Sequence, residues 1–205
     1  MIICIGREFG SGGHEIGKLT AEKLGISFYD RELIETAAER FENIPLEIIE
    51  KADEKKHNPW LYRVWYDAQN TELRGLSANE MLFRVHSQII KELAAKGNGV
   101  FVGRCSDYIM KESGIDCISL FVAAPFQDRV KRKMELLSLD EKTAIALVRK
   151  KDKERKAYYN YYTAGNWGKP DNYDFCINSS KLGIERTAKN LAEKLREIYY
   201  RLSES

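Results

Sequence analysis

The feature that most constrains this chain is a series of short, predominantly apolar runs separated by segments of helical character. The runs cover residues 1–5, 26–29, 99–102, 117–123 and 174–178. A strand that is apolar at every position is buried on both faces, which is typical of a parallel sheet covered by helices on each side. The sequence therefore predicts a three-layer α/β/α fold with a parallel sheet of about five strands.

The segments between these runs show the spacing of amphipathic helices. Met81, Val85 and Ile89, for example, recur at the interval of a buried helix face. A more polar stretch, residues 41–76, contains few Pro and Gly residues, so we interpret it as a helical insertion rather than a linker. The 205 residues then form a single domain, 1–205, that carries this insertion.

Charge and cysteine content argue against several classes of protein. The net charge of +2 gives no general case for binding nucleic acid. Cys4, Cys105, Cys117 and Cys176 form no CxxC pair, so a zinc site or a redox dithiol is not expected. Cys4, Cys117 and Cys176 lie in apolar runs, and we expect them to be buried free thiols. With no basic leader and no apolar run of about 20 residues, we expect a cytoplasmic protein without a membrane partner.

Three glycines in four positions, Gly10, Gly12 and Gly13, follow the first predicted strand within the segment GREFGSGGH, residues 6–14. Small residues let backbone N–H groups converge, and the N-terminus of the following helix adds positive potential. A strand, a glycine loop and a helix thus form a cradle for phosphate. We therefore predict that this loop binds phosphate.

One known pattern for such a loop is GxxxxGK[ST], whose Lys and hydroxyl bind phosphate and magnesium. With Gly12 as its second glycine, Gly13 stands at the Lys position and His14 at the Ser/Thr position. Arg7 stands at the first glycine. The match is therefore degraded at three positions, and Arg7 or Lys18 is the cation that could compensate for the missing lysine.

The competing pattern is the GxxxGxG of short-chain dehydrogenases, which Gly6, Gly10 and Gly12 satisfy. Asp30, at the end of the second predicted strand, fits the acid that binds ribose in a dinucleotide-binding fold. The glycines alone leave both interpretations open. The catalytic pair of those dehydrogenases is absent, however, because no Tyr in the sequence is followed by Lys four residues later.

The arginines favour phosphate chemistry. Phosphoryl transfer is catalysed by positioning and by neutralising charge on phosphate oxygens, and the planar, permanently charged guanidinium suits this task. Charged residues follow the third and fourth strands or recur at intervals of three on one long helix. These residues are Arg104, Arg129, Arg132, Arg149, Asp152 and Arg155.

Five segments, taken together and in order, resemble the cytidylate kinase-like family, a branch close to bacterial cytidylate kinases. They are residues 6–13 (GREFGSGG), 28–34 (FYDRELI), 102–109 (VGRCSDYI), 124–132 (APFQDRVKR) and 172–178 (NYDFCIN). The resemblance covers nearly the whole chain. It implies a P-loop NTPase-like fold and an ATP-dependent phosphotransferase acting on a nucleoside monophosphate, with CMP or dCMP as the first guess. The implied cofactors are ATP and Mg²⁺ carried by its phosphates.

The resemblance also implies roles for individual residues. The residues expected to bind the donor phosphates are Gly10, Ser11, Gly12, Gly13 and His14. The residues expected to hold the acceptor are Asp30, Arg31, Arg104, Asp107, Arg129 and Asp152. Those expected to act catalytically, by neutralising the transferred charge, are Arg104, Arg132, Arg149 and Arg155. Residues 41–76 would close on the acceptor and residues 130–170 would form a lid, while no metal ligand is assigned.

Two alternatives stay open. The first, suggested by the missing lysine, is a nucleotide-binding protein that has lost catalysis. The second, which rests on the glycine pattern and Asp30, is an NAD(P)-dependent oxidoreductase. For the kinase we expect small-molecule nucleotides as partners and no nucleic acid, with a homodimer as an open alternative.

Overall fold

The structure is a computed structural model that describes residues 1–30 and 78–203. It contains a five-stranded sheet in the order β2-β3-β1-β4-β5, and every pairing is parallel. The strands are β1 (Ile2–Arg7), β2 (Ser27–Tyr29), β3 (Gly99–Val102), β4 (Ile118–Ala123) and β5 (Phe175–Asn178). The predicted parallel sheet is confirmed, with the first strand at its centre.

Helices cover both faces of this sheet. They are α1 (Gly13–Leu24), α2 (Ala78–Ala95), α3 (Ser106–Glu112), α4 (Phe126–Leu137), α5 (Glu141–Thr163) and α6 (Gly183–Ser203). A short 3₁₀ turn, Pro170–Asn172, precedes β5. None of the helices in the described ranges is long and apolar enough to cross a membrane.

The central strand, β1, shows why its apolar run contains no polar residue. Ile3 and Ile5 pack in the core formed with α1 and α6, whereas Ile2 and Cys4 pack in the core formed with α2 and α3. Successive side chains of a strand point to opposite faces, so a strand covered on both sides must be apolar throughout. The three-layer α/β/α prediction is thereby confirmed.

The expectation of buried thiols holds only partly. Cys4 is buried, Cys117 is half-buried and Cys176 is exposed. Cys176 lies on β5, which has a neighbour on one side only, and alternate residues of this edge strand face outward. The fourth thiol, Cys105, is buried at the start of α3.

The region predicted as a lid contains most of α4 and all of α5. The two helices pack through Val130, Ala144 and Val148, with Phe9 of the glycine loop against the same cluster. This cluster places α4 and α5 at the end of the sheet where β1 finishes. The predicted insertion, residues 41–76, and Arg31 lie outside the described residues.

Candidate active site

The glycine loop joins β1 to α1 and adopts the conformation that its glycines permit. Gly10 and Gly12 have left-handed φ angles of 85° and 79°. A Cβ on Gly10 would lie 2.9 Å from the carbonyl oxygen of Arg129, and one on Gly12 would lie 2.9 Å from the side chain of Ile184. The loop is therefore closed tightly between α4 and the start of α6, and side chains are excluded for both conformational and steric reasons.

Hydrogen bonds fix the loop to the end of β5. The buried Ser11 donates its hydroxyl to the carbonyl of Glu8 at 2.9 Å. The hydroxyl of Ser179, which directly follows β5, donates to the carbonyl of Ser11 at 2.5 Å. The first helical bond of α1, from the N–H of Ile16 to the carbonyl of Gly12, measures 2.9 Å. The loop thus runs directly into a helix N-terminus, which favours anions.

Arg129 holds the loop from the opposite side. This buried side chain donates to the carbonyls of Ala124 at 3.0 Å and Phe9 at 3.2 Å. It also pairs with Asp152 and, at 3.3 Å, with Glu8. Asp152 accepts the N–H of Phe9 at 2.8 Å. The structure therefore places Arg129 and Asp152, for which the family resemblance implied acceptor binding, in a clamp beneath the glycine loop.

A cavity of about 630 Å³ opens between the loop, α4 and the segment 179–186 that leads into α6. Gly10, Ser11 and Arg132 are among its lining residues. Arg132 donates to Glu15 at 3.0 Å. Burial alone would raise the pKa of Glu15, but hydrogen bonds from its own backbone and from Arg132 outweigh burial and lower that pKa.

A second, small cavity of about 30 Å³ lies on the other side of β1, at the end of β3. Three arginines line it, namely Arg7, Arg104 and Arg155. Arg104 is buried, has a left-handed φ of 55°, and lies 5.8 Å from the ring centre of Tyr158. The structure thus brings together three arginines, one at the end of β1, one shortly after β3 and one on α5.

Asp107 lines the same cavity and accepts a hydrogen bond of 2.7 Å from the hydroxyl of Tyr159. Burial raises the pKa of Asp107, although this hydrogen bond opposes the shift. Burial and the nearby Asp107 carboxylate raise the pKa of Tyr159, so its hydroxyl stays protonated at neutral pH. A hydrogen-bonded acid therefore faces the same space as the arginines.

The end of β2 also reaches the glycine loop. His14 and Asp30 approach each other at 3.0 Å, and the His14 ring meets Phe28 edge-on at 5.4 Å between ring centres. Arg149, in contrast, is exposed on α5, 5.4 Å from the ring centre of Phe126, and lines neither cavity. The glycine loop and Arg132 thus line the larger cavity, Arg104, Asp107 and Arg155 line the small one, and Arg149 joins neither group.

Sequence reasoning missed Ser179 and Tyr159 as parts of this site. Ser179 directly follows β5 at its carboxyl end, where ligands bind in such folds, so this general rule also indicates Ser179. Tyr159 carries no such signal, because its partner Asp107 is 52 residues away in the sequence.

The strand order decides between the two loop patterns. In a dinucleotide-binding fold β1 lies between β2 and β4, whereas here it lies between β3 and β4. The dinucleotide interpretation of Gly6, Gly10, Gly12 and Asp30 is therefore wrong. The sequence profile of the cytidylate kinase-like family matches residues 2–181. The chain belongs to the cytidylate kinase-like family.

Solved structures agree with a P-loop kinase fold for this cytidylate kinase-like protein. It is similar to an uncharacterized protein from Eubacterium ventriosum, with 29% identity and a TM-score of 0.70 over 96% of this chain and 98% of the other. Shikimate kinase from Bacteroides thetaiotaomicron is 14% identical, with a TM-score of 0.54 over 98% of each chain. The Deinococcus radiodurans tunicamycin resistance protein is 13% identical, with a TM-score of 0.52 over 95% and 94%. At 14% and 13% identity the likeness concerns the fold alone. No protein of curated function matches the cytidylate kinase-like chain in sequence.

Proposed function

We propose that this chain is an ATP-dependent phosphotransferase that acts on a nucleoside monophosphate, with CMP or dCMP as the first acceptor to test. The observation that carries the proposal is the group of three arginines, Arg7, Arg104 and Arg155, around one cavity beside the glycine loop. Transfer between two nucleotides brings several negative charges together, and fixed cations at that point stabilise the charge of the transition state.

The larger cavity supports ATP as the donor. Its volume of about 630 Å³ lies within the roughly 300–1,000 Å³ of small-molecule sites. Its lining includes three basic residues, three acidic residues and two large apolar residues, namely Lys131, Arg132, Arg186, Asp128, Glu135, Glu185, Leu182 and Ile184. The basic side chains and the glycine loop suit the phosphates, and the apolar side chains suit a base.

In the proposed reaction an oxygen of the acceptor phosphate bonds to the γ-phosphorus of ATP. The bond from that phosphorus to the bridging oxygen breaks, and ADP leaves with this oxygen. Arg104 and Asp107 bind the acceptor, and Arg155 neutralises charge during transfer. No protein nucleophile is required, because the enzyme acts by positioning and electrostatic stabilisation.

Magnesium is proposed to arrive on the phosphates of ATP. Within residues 1–30 and 78–203, no three His, Cys, Asp or Glu side chains gather as a metal site. Carboxylate oxygens suit Mg²⁺, which usually takes only one or two of them and keeps its phosphate ligands and waters. Glu15, in the first turn of α1, and Asp30, beside His14, supply such oxygens next to the loop.

The alternative, a nucleotide-binding protein without catalysis, is favoured by one observation. Gly13 brings no ammonium group and His14 no hydroxyl to the positions where the GxxxxGK[ST] pattern places them. Such a protein would still use the glycine loop and the larger cavity. Nucleotide binding alone therefore does not separate the two functions.

The test is ADP release from Mg-ATP with each common nucleoside monophosphate offered in turn, alongside calorimetric titration of ATP. We expect ADP release that depends on the acceptor and is strongest with CMP or dCMP. ATP binding without release for any acceptor would favour the non-catalytic alternative. Failure to bind ATP would overturn both.

A further inference from the structure

We propose that Arg7 takes the place of the lysine missing from the glycine loop and binds the β- and γ-phosphates of ATP. The inference rests on the proposed function, since it takes ATP as the donor. It differs from that function in naming a residue that the GxxxxGK[ST] pattern does not use, at the position where the pattern has its first glycine.

The first step of the argument is the space beside Gly13. Gly13 is buried in the first turn of α1 and its φ is not left-handed, so its backbone does not require glycine. A Cβ at this position would nevertheless lie 2.6 Å from the Cβ of Arg7 and 3.1 Å from that of Val122. The side chain of Arg7 thus occupies the space from which a lysine at position 13 would extend.

The second step is the direction that Arg7 takes. A Cβ on Gly103 would lie 2.9 Å from Cζ of Arg7, so the guanidinium lies against the backbone of Gly103. Gly103 follows β3 and immediately precedes Arg104. Two glycines therefore accommodate one arginine, Gly13 along its stem and Gly103 at its charged end.

The third step is the position of this charge relative to the two nucleotides. Arg7 is the last residue of β1, and the glycine loop begins directly after it. Arg7 lines the small cavity together with Arg104 and Arg155, and Arg155 donates to the carbonyl of Arg7 at 3.1 Å. Arg7 consequently lies between the donor loop and the acceptor end of β3, where the transferred phosphoryl group must pass.

The other candidate cation, Lys18, does not share this position. Lys18 is exposed on α1 and lines neither cavity. An arginine is well suited to the role, because its planar fork donates two parallel hydrogen bonds to phosphate oxygens and keeps its charge. These properties match a group that must follow the phosphates during transfer.

A reciprocal exchange of the two positions tests the inference. The variants are Arg7→Ala, Arg7→Lys, Gly13→Lys and the double variant Arg7→Gly/Gly13→Lys, which restores the standard pattern. Affinities for ATP, ADP and AMP are measured by calorimetry, and thermal unfolding reports the fold. Arg201→Ala, an exposed arginine of α6, is the matched control.

We expect Arg7→Ala to weaken ATP and ADP binding by at least about tenfold, while AMP binding changes less than about twofold. AMP lacks the β- and γ-phosphates, so a general distortion of the loop would weaken all three ligands alike. Gly13→Lys alone should lose ATP binding, because Arg7 blocks the new side chain. The double variant should regain most of it.

If Arg7→Ala bound ATP with wild-type affinity, the inference would be overturned, whereas the proposal that ATP is the phosphate donor would be unaffected. Equal losses for ATP and AMP, without recovery in the double variant, would also overturn it. If Arg7→Ala does not fold, Arg7→Lys is the deciding variant. ATP affinity equal to that of the wild type, or weakened no more than AMP affinity, would then contradict a bidentate role for Arg7. Failure of the wild type to bind ATP would overturn the inference together with the proposed function.

Discussion

Arg129 of α4 and Asp152 of α5 form an ion pair beneath the glycine loop, and both bind the backbone of the same loop residue, Phe9. Asp152 accepts the N–H of Phe9 at 2.8 Å, and Arg129 donates to its carbonyl at 3.2 Å. The two helices of the region predicted as a lid therefore both hold the backbone of Phe9. A shift of either helix would be transmitted to the phosphate cradle through this pair.

Replacing Arg129 by Met tests how much this clamp stabilises the fold. The variant leaves the carboxylates of Asp152 and Glu8 without their buried partner, so we expect the free energy of unfolding to fall by about 3 kcal/mol. Urea denaturation measures the change. Lys131→Met, an exposed position on the same helix, should change stability by less than about 0.5 kcal/mol. Equal unfolding free energies for the two variants would contradict the clamp.

Gly12→Ala tests whether the loop needs glycine for space as well as for conformation. Gly25 offers the comparison, because its φ of 68° is also left-handed but a Cβ there would meet nothing within 4 Å. We expect Gly25→Ala to lower the free energy of unfolding by about 1 kcal/mol. Gly12→Ala should lower it by about 1 kcal/mol more, because the added methyl group would contact Ile184.

The double variant Gly12→Ala/Ile184→Ala provides the control for that contact. Removing the Ile184 side chain should make the two changes less than additive, since the added methyl group then fills vacated space. Urea denaturation of the single and double variants gives the coupling energy. Strict additivity would mean that conformation alone requires glycine at this position.

Local patterns were sufficient to predict the layers of the fold but not the order of the strands. The uninterrupted apolar run of β1 follows from burial on both faces, as Ile3 and Cys4 show by packing in opposite cores. Strand order depends on crossovers between distant segments, which no local spacing encodes. For the same reason the exposure of Cys176 on an edge strand could not be predicted, because an edge strand was not distinguishable from a central one.

The site residues show a similar division. Arg129 and Arg132 are three residues apart on one helix, so their spacing predicts phosphate binding almost equally for both. In the structure Arg129 is buried in the clamp, whereas Arg132 lines the larger cavity. Which of the two faces the ligand depends on how α4 packs against the loop and Asp152. Only the tertiary structure supplies that information.

The pair of Asp107 and Tyr159 makes a prediction about pH. Burial raises the pKa of Asp107 in the folded protein, so its ionised form opposes folding at neutral pH. This unfavourable contribution disappears as the pH falls through the raised pKa, where the folded protein binds the proton. Asp107→Asn is neutral at every pH. We therefore expect it to be more stable than the wild type at pH 7, with a difference that shrinks towards acid pH.

Urea denaturation at several pH values between 8 and about 4 measures this difference. Tyr159→Phe is the companion variant, because it removes the hydrogen bond of 2.7 Å while leaving the carboxylate in place. It should lower the free energy of unfolding at pH 7 by about 2 kcal/mol. A stability difference between Asp107→Asn and the wild type that grows as the pH falls would contradict the direction of the pKa shift.

Arg104 and Arg132 lie in different cavities, and this separation predicts that their loss affects different ligands. Arg104→Met should weaken binding of the acceptor, tested with CMP, by about tenfold while leaving ATP affinity unchanged. Arg132→Met should weaken ATP binding and leave CMP binding unchanged. Calorimetry with each ligand alone gives four affinities, so each variant controls for the other. If both variants weakened the same ligand, Arg104 and Arg132 could not belong to the separate acceptor and donor sites that phosphoryl transfer between nucleotides requires.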